Sequence, residues 1–245
     1  MVASDLERIP QAREMVQELS RAGHEIGSHS LTHPYDLTRL SLETISDELA
    51  RSRDLLEDVI GRPVVGFRAP GYTITRNVFG LLQEHGYTYD SSLFPCPPYY
   101  LAKAAVMGWM GLRGRRSDSI LDHPSVMWAK RTPHRREGLV EFPVTVLPGL
   151  RFPFIGTSLL MMGSTGYGLI RPWLRTTSFV NLEFHGIDLC DLEQDRIDPI
   201  LQKQPDLRVP LEEKDRLFRR VLADLKAGWN VDTLEAHAMS LGPTL

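Results

Sequence analysis

Two histidines four residues apart, His29 and His33, give the sharpest chemical signal in the chain, within the run His29-Ser30-Leu31-Thr32-His33-Pro34. Imidazoles at this spacing point the same way if the intervening turn is helical. Neutral ring nitrogens so placed suit a transition metal at roughly 2.0–2.1 Å. The plainer reading is two surface histidines in a loop, because the spacing also arises by chance. Arg68 opens Arg68-Ala69-Pro70-Gly71-Tyr72 after an apolar run. A guanidinium there can hold a carboxylate or stabilise an anion, or simply bridge two loops. Asp90 opens Asp90-Ser91-Ser92 and is a natural partner for Arg68, although Asp-Ser-Ser alone is a turn. His185 ends Leu182-Glu183-Phe184-His185, where strand alternation sets Glu183 and His185 on one face. A histidine at a strand end can protonate a leaving amine near neutral pH; a hydrogen-bonded structural histidine is the alternative.

The elements that must position these residues alternate between strand and helix. A helix is expected from about Pro10 to Ala22, with proline at its first position, glycine after its end, and Met15, Val16, Leu19 and Ala22 on one face. A strand candidate, residues 24–28, leads into the histidine pair. The next helix is capped by Ser41, with Leu40 and Ile45 as a hydrophobic staple and Leu42, Ile45, Leu49, Leu56 and Val59 as its buried stripe. Residues 64–68 read as a buried strand, Thr75 to His85 as a helix, and Tyr87 to Asp90 as a strand. Leu139 to Val146 and Phe179 to His185 are further strand candidates. Leu211 to Lys226 is an amphipathic helix with Leu217, Phe218, Val221, Leu222 and Leu225 inward, and Trp229 to Leu234 a last short strand. This alternation argues for an α/β protein with a parallel sheet or barrel. Residues 96–132 fit no regular period and are expected to form an insertion or long active-site loop, about 96–138 in all, within a single domain spanning 1–245.

Composition excludes several classes. The 245 residues are 42% hydrophobic and 24% charged, ordinary for a globular protein and enough to bury a sizeable core. No stretch of 18 uncharged apolar residues suggests a membrane span. Two cysteines, Cys96 and Cys190, make no disulfide framework and are expected to be free thiols. The net charge of −3 does not suggest a nucleic-acid partner. Charge is unevenly spread, however. Between Cys96 and Arg151 stand nine Lys/Arg against four Asp/Glu, a local +5 that leaves −8 on the rest. His24, His85, His123, His134 and His237 are given structural readings.

Taken in order, the four groups resemble the polysaccharide deacetylase family, the homology domain shared by chitin, peptidoglycan and nodulation deacetylases. The family's His-Ser/Thr-x-x-His-Pro motif matches His29 to Pro34, and Gly23-His24-Glu25-Ile26-Gly27-Ser28 before it is typical. Its arginine motif matches Arg68 to Tyr72, its aspartate motif Asp90 to Ser92, and its late histidine His185. The resemblance covers about residues 1–95 well and 139–238 more loosely. It implies a distorted (β/α) barrel and metal-dependent hydrolysis of an N-acyl group from an amino sugar of a glycan or lipid-linked saccharide. It implies a divalent metal, zinc first, with cobalt or manganese as alternatives, and His29 and His33 as ligands. His185 would be the general acid, Arg68 would orient the base, and Asp90 would hold Arg68.

The family also begins with an Asp-Asp strand that supplies the base and a third ligand, some tens of residues before the helix that here starts at Pro10. No such pair precedes Pro10; Asp5 stands alone, and residues 1–4 look like the tail of the family's second strand. The expectation is a start placed too far downstream or a gene fragment, so that the barrel lacks its N-terminal strand or strands; genuine loss of catalysis is the alternative. Asp36 and Glu183 could be imagined as substitutes but read better as solvated or structural. A non-catalytic glycan-binding protein that keeps the groove is therefore the rival. The apolar run Leu101 to Met110 before Arg113, Arg115 and Arg116, and a second apolar stretch from Leu150 to Met162, suggest either peripheral contact with an anionic membrane or simple cover for the core. No signal peptide is visible, and the expected location is cytoplasmic or membrane-associated.

Overall fold

Proline at a helix start and glycine past its end set the first long helix of the computed structural model, which describes residues 2–202 and 204–242. After a single turn α1 (Asp5–Arg8), α2 spans Pro10–Arg21, and Gly23 follows in the left-handed region that suits glycine. Its inward stripe is rotated from the expected one. Val16 is buried with Ala12 beside it, whereas Met15 and Leu19 are exposed. In α3 (Leu42–Ile60) the Ser41 hydroxyl accepts the Thr44 backbone N–H at 3.1 Å, and Gly61 closes the helix with φ 68°. Leu40 and Ile45 join one core, as the staple requires, together with Leu49, Leu56 and Val59; Leu42 is left half-exposed.

Four short strands follow. They are β1 (Gly66–Phe67), β2 (Tyr89–Asp90), β3 (His134–Arg136) and β4 (Leu139–Glu141), separated by α4 (Arg76–Glu84) and α5 (Pro97–Leu112). The sheet order is β1-β2-β4-β3, with β1–β2 and β2–β4 parallel and β3–β4 an antiparallel hairpin. Ser28 bridges Phe67 in parallel and extends the sheet on the β1 side. Among the described residues this small mixed sheet is open. Gly66 is required where it stands, because a Cβ there would overlap the Tyr89 ring. The core beneath these elements includes Leu6, Ile45, Leu49, Phe67, Val78, Phe79, Leu82 and Tyr87.

Residues 96–132, expected to be irregular, contain α5. Pro97 and Pro98 occupy its first two positions, where their missing N–H groups cost nothing. The apolar residues run round the whole helix, so no amphipathic period marks it.

The chain divides into two compact units: Met1–Pro143 with Asp232–Leu245, and Val144–Val231. In the second, α6 (Gly156–Leu174) packs Leu159, Leu160, Tyr167, Ile170 and Leu174 against Leu217, Phe218, Val221 and Leu225 of α7 (Leu211–Gly228). Glycines and Pro172 break the sequence pattern of α6, and Gly163, at φ 62°, kinks it. The stretch Phe179–His185 contributes only the bridge Ile155–Glu183 rather than a strand. At the C-terminus Thr233 starts α8 (Leu234–Ser240) by accepting the Ala236 N–H at 3.1 Å. That cap, at the end of the expected strand Trp229–Leu234, turns the chain into a helix.

Candidate active site

The loop that carries both histidines is not helical. Ser30 and His33 take left-handed backbone angles, φ 64° and 61°. Such conformations cost energy in non-glycine residues and persist only when the surroundings hold them. Here Glu48 of α3 does so. One carboxylate oxygen accepts the N–H groups of Leu31 and Thr32 at 3.0 and 2.9 Å, and the other accepts the Thr32 hydroxyl at 2.6 Å. The Ser30 hydroxyl accepts the His33 N–H at 3.0 Å, and Ser4 donates its N–H to Leu31 O at 2.9 Å.

The loop brings the two rings together edge to face, centroids 4.6 Å apart, with His29 Nε2 and His33 Nε2 separated by 3.1 Å. His29 Nδ1 lies 2.6 Å from the Arg68 carbonyl oxygen. A carbonyl only accepts, so Nδ1 carries the proton and Nε2 keeps its lone pair. Burial lowers the His29 pKa to about 3, only partly offset by that hydrogen bond, so the ring is neutral at physiological pH. Two imidazoles on one tetrahedral metal, with bonds of about 2.0–2.1 Å, hold their nitrogens about 3.3 Å apart. The observed spacing and the anchored tautomer fit two ligands of such an ion. Among the described residues no group of three His, Cys, Asp or Glu could complete the set.

Arg68 follows β1 and serves the pair through its main chain. Its side chain turns to the end of β2, donating from Nε to Ser91 O and from Nη2 to Ser91 Oγ, both at 2.8 Å. Asp90 itself bonds within the same turn: its carboxylate accepts Ser92 Oγ at 2.6 Å and Ser92 N at 3.1 Å, while Ser92 Oγ accepts the Ala69 N–H at 2.7 Å. The link between Asp90 and the Arg68 loop thus includes Ser92.

Asp90 is fully buried and hydrogen-bonded to Glu141 of β4, also buried. Glu141 Oε1 accepts Leu93 N–H at 3.0 Å, and Arg136 Nη1 lies 3.2 Å from Oε2. Burial raises both acids, Glu141 well above the usual carboxylate range, with the Asp90 charge as its next cause. Glu141 is therefore the member of the pair that keeps a proton more readily, and Arg136 lies beside it.

His185 belongs to the second unit. Its Nε2 lies 3.4 Å from Glu183 Oε1, and the imidazole is more than half exposed while Glu183 is buried. The Asp188 N–H donates to the His185 carbonyl at 2.9 Å, and the His185 backbone N–H donates to Asp188 Oδ2 at 2.8 Å. The ring turns Nε2 toward Glu183. Glu183 and His185 meet as the alternation of the run implied. Asp36 precedes a single turn at Leu37–Arg39.

Sequence reasoning placed His29, His33, Arg68 and Asp90, and the structure gathers these four in the first unit. It missed Glu48 and Glu141, and it gave Ser91 no role beyond its place in the motif. Glu48 had left a signal: it sits at a buried-stripe position of α3, between Ile45 and Leu49, where a carboxylate needs partners. Glu141 stands likewise in an apolar strand run.

Residues 4–89 match the family model described as polysaccharide deacetylase. A peptidoglycan deacetylase of Helicobacter pylori is 27% identical over 143 residues, 49% of this chain and 48% of that protein. A chitin deacetylase of Bombyx mori is 38% identical over 85 residues, 32% of this chain and 16% of that one. The chain therefore spans about half the length of the first relative and less of the second. A crystal structure of a putative polysaccharide deacetylase from Mycobacterium smegmatis superposes with a TM-score of 0.52 at 20% identity, covering 94% of this chain and 67% of that one. At that identity the likeness speaks for the fold alone.

Proposed function

Because residues 4–89 match the polysaccharide deacetylase family model, we propose that this chain takes part in hydrolysis of the N-acetyl group of an amino sugar within a glycan, at a metal centre that includes His29 and His33. The observation that carries the reading is the convergence of the two Nε2 atoms at 3.1 Å with His29 Nδ1 fixed on a carbonyl. A bound zinc, cobalt or manganese would polarise the acetamide carbonyl and acidify a water. The distorted barrel of the family remains the fold proposed for the whole catalytic unit.

The chain's own residues have distinct jobs. His29 offers Nε2 because Arg68 O holds the proton on Nδ1. His33 offers its Nε2 because Ser30 and Glu48 fix a strained loop. The Arg68 guanidinium, clamped on Ser91, holds the loop after β1 to the loop after β2 and so keeps that carbonyl in place. Asp90 sets the Ser91–Ser92 turn. His185 is the proposed proton donor to the departing amine, with its side chain more than half exposed and Nε2 beside Glu183.

The test is acetate release from N-acetylglucosamine oligomers by the full chain, with metal added or chelated. Release that needs metal and is lost in His29→Gln and His33→Gln supports the reading. One observation favours the glycan-binding alternative: the described donor set is short of the usual three protein ligands. Oligomers retained by the chain without acetate release under any metal would select that alternative.

A further inference from the structure

Helix α5 exposes an apolar face with a strongly basic end. Leu101, Ala105, Gly108, Trp109 and Leu112 fall along one side at helical spacing, and Ala102 and Val106 widen it. All seven are exposed, Leu112 at 90% and Trp109 at 51%. The opposite side is the one that packs, through buried Tyr100 against Leu93 and Val126. From Pro97 to Ser117 there is no acidic residue, while Lys103, Arg113, Arg115 and Arg116 are cationic. The Arg113 guanidinium stacks over the Trp109 ring at 3.9 Å, tying the first charge to the apolar face. One cation would satisfy the negative end of a helix dipole; three exposed arginines beside exposed Leu112 exceed that need. Nearby, Trp128 is exposed and is followed by Lys130 and Arg131.

We propose that α5 and the arginines after it form a docking surface for an anionic lipid bilayer. The charge argues for this occupant: an apolar strip that ends in three arginines, with Asp118 and Asp122 the acids that follow, matches an acyl boundary under anionic headgroups. Sixteen residues rise about 24 Å, short of the roughly 30 Å hydrocarbon core, and no described helix is long and apolar enough to cross a membrane. The helix therefore lies in the interface plane. Lys103 Nζ donates to Gly71 O at 3.3 Å, in the loop that begins at Arg68. Docking through α5 thus holds that loop close to the membrane surface. This inference stands apart from the deacetylase reading.

Co-sedimentation of the full chain tests it, with vesicles of phosphatidylcholine alone and vesicles in which phosphatidylglycerol replaces part of it. The expected result is pelleting with the anionic vesicles only, weakened by salt. At about 1 kcal/mol per cation, each Arg→Gln change at 113, 115 and 116 should weaken partitioning about fivefold, and the triple change about a hundredfold. Leu112→Ser, at a site too exposed to disturb folding, should also reduce pelleting. Vesicle binding should shift tryptophan fluorescence to the blue, an effect diminished in Trp109→Phe. Equal binding to both vesicle types, or undiminished binding by the triple variant, overturns the proposal. So does a concentration-dependent dimer lost in Leu112→Ser without vesicle binding, which would assign the face to a second copy of the chain.

Discussion

At the residue scale the site depends on carboxylates that do no chemistry themselves. Glu48 holds two backbone N–H groups and one hydroxyl in a loop with two strained residues. Glu48→Ala leaves those donors without their acceptor and should cost about 2–4 kcal/mol in urea unfolding. It should also weaken zinc binding about 10–100-fold, the range seen when supporting partners of metal ligands are lost, while Glu48→Gln recovers part of both. Unchanged zinc affinity in Glu48→Ala would remove the supporting role. The Asp90–Glu141 pair gives a pH signature. Glu141 is raised in the folded state, so between its unfolded value near 4.5 and its higher folded value the native chain binds more protons than the unfolded one. Stability from this group is therefore fully present below about pH 4.5 and falls as pH rises, by up to about 1.4 kcal/mol per pH unit. Glu141→Gln keeps a donor for Asp90 without a titrating proton. Its stability relative to the natural chain should rise as pH increases above about 4.5, and a pH-independent difference would contradict the raised Glu141.

At the element scale, β1 and β2 deliver Arg68 and Asp90 only because Gly66 leaves room for the Tyr89 ring, whose hydroxyl is tied to Glu25. Gly66→Ala should destabilise by about 3 kcal/mol in urea, and Tyr89→Ala should relieve much of that cost in the double variant. Strict additivity would show that the two do not meet. The same scale explains what the sequence could reveal. Helices α2, α3, α4 and α7 were legible because proline, Ser41 or flanking glycines marked their ends; an apolar stripe marked the inward face of α3 and most of that of α7, while Met15 and Leu19 of α2 and Leu222 of α7 are exposed. Helix α5 was hidden because it is apolar on every side, and α6 because glycines and Pro172 interrupt it. Trp229 to Leu234 reads as a strand by composition, yet the Thr233 hydroxyl starts a helix there, a local hydrogen bond outweighing a weak propensity. At the site the chemical residues were legible by type and spacing. Their supports were not, because Glu48 and Glu141 meet their partners only through tertiary packing.

At the scale of the whole chain, the imidazole pair and its clamps belong to the first unit, and His185, proposed as a proton donor, belongs with Glu183 to the second. His185→Gln should therefore leave zinc binding unchanged while lowering metal-dependent acetate release about 10²–10⁴-fold, the usual worth of a general acid; loss of zinc binding in that variant would reassign His185 to the metal. The central claim is that His29 and His33 together hold a metal ion, and calorimetric titration of zinc into the full chain tests it most directly. The account predicts one zinc site per chain, weakened at least tenfold by either His29→Gln or His33→Gln. Zinc binding that is the same in the natural chain and in both variants would contradict it.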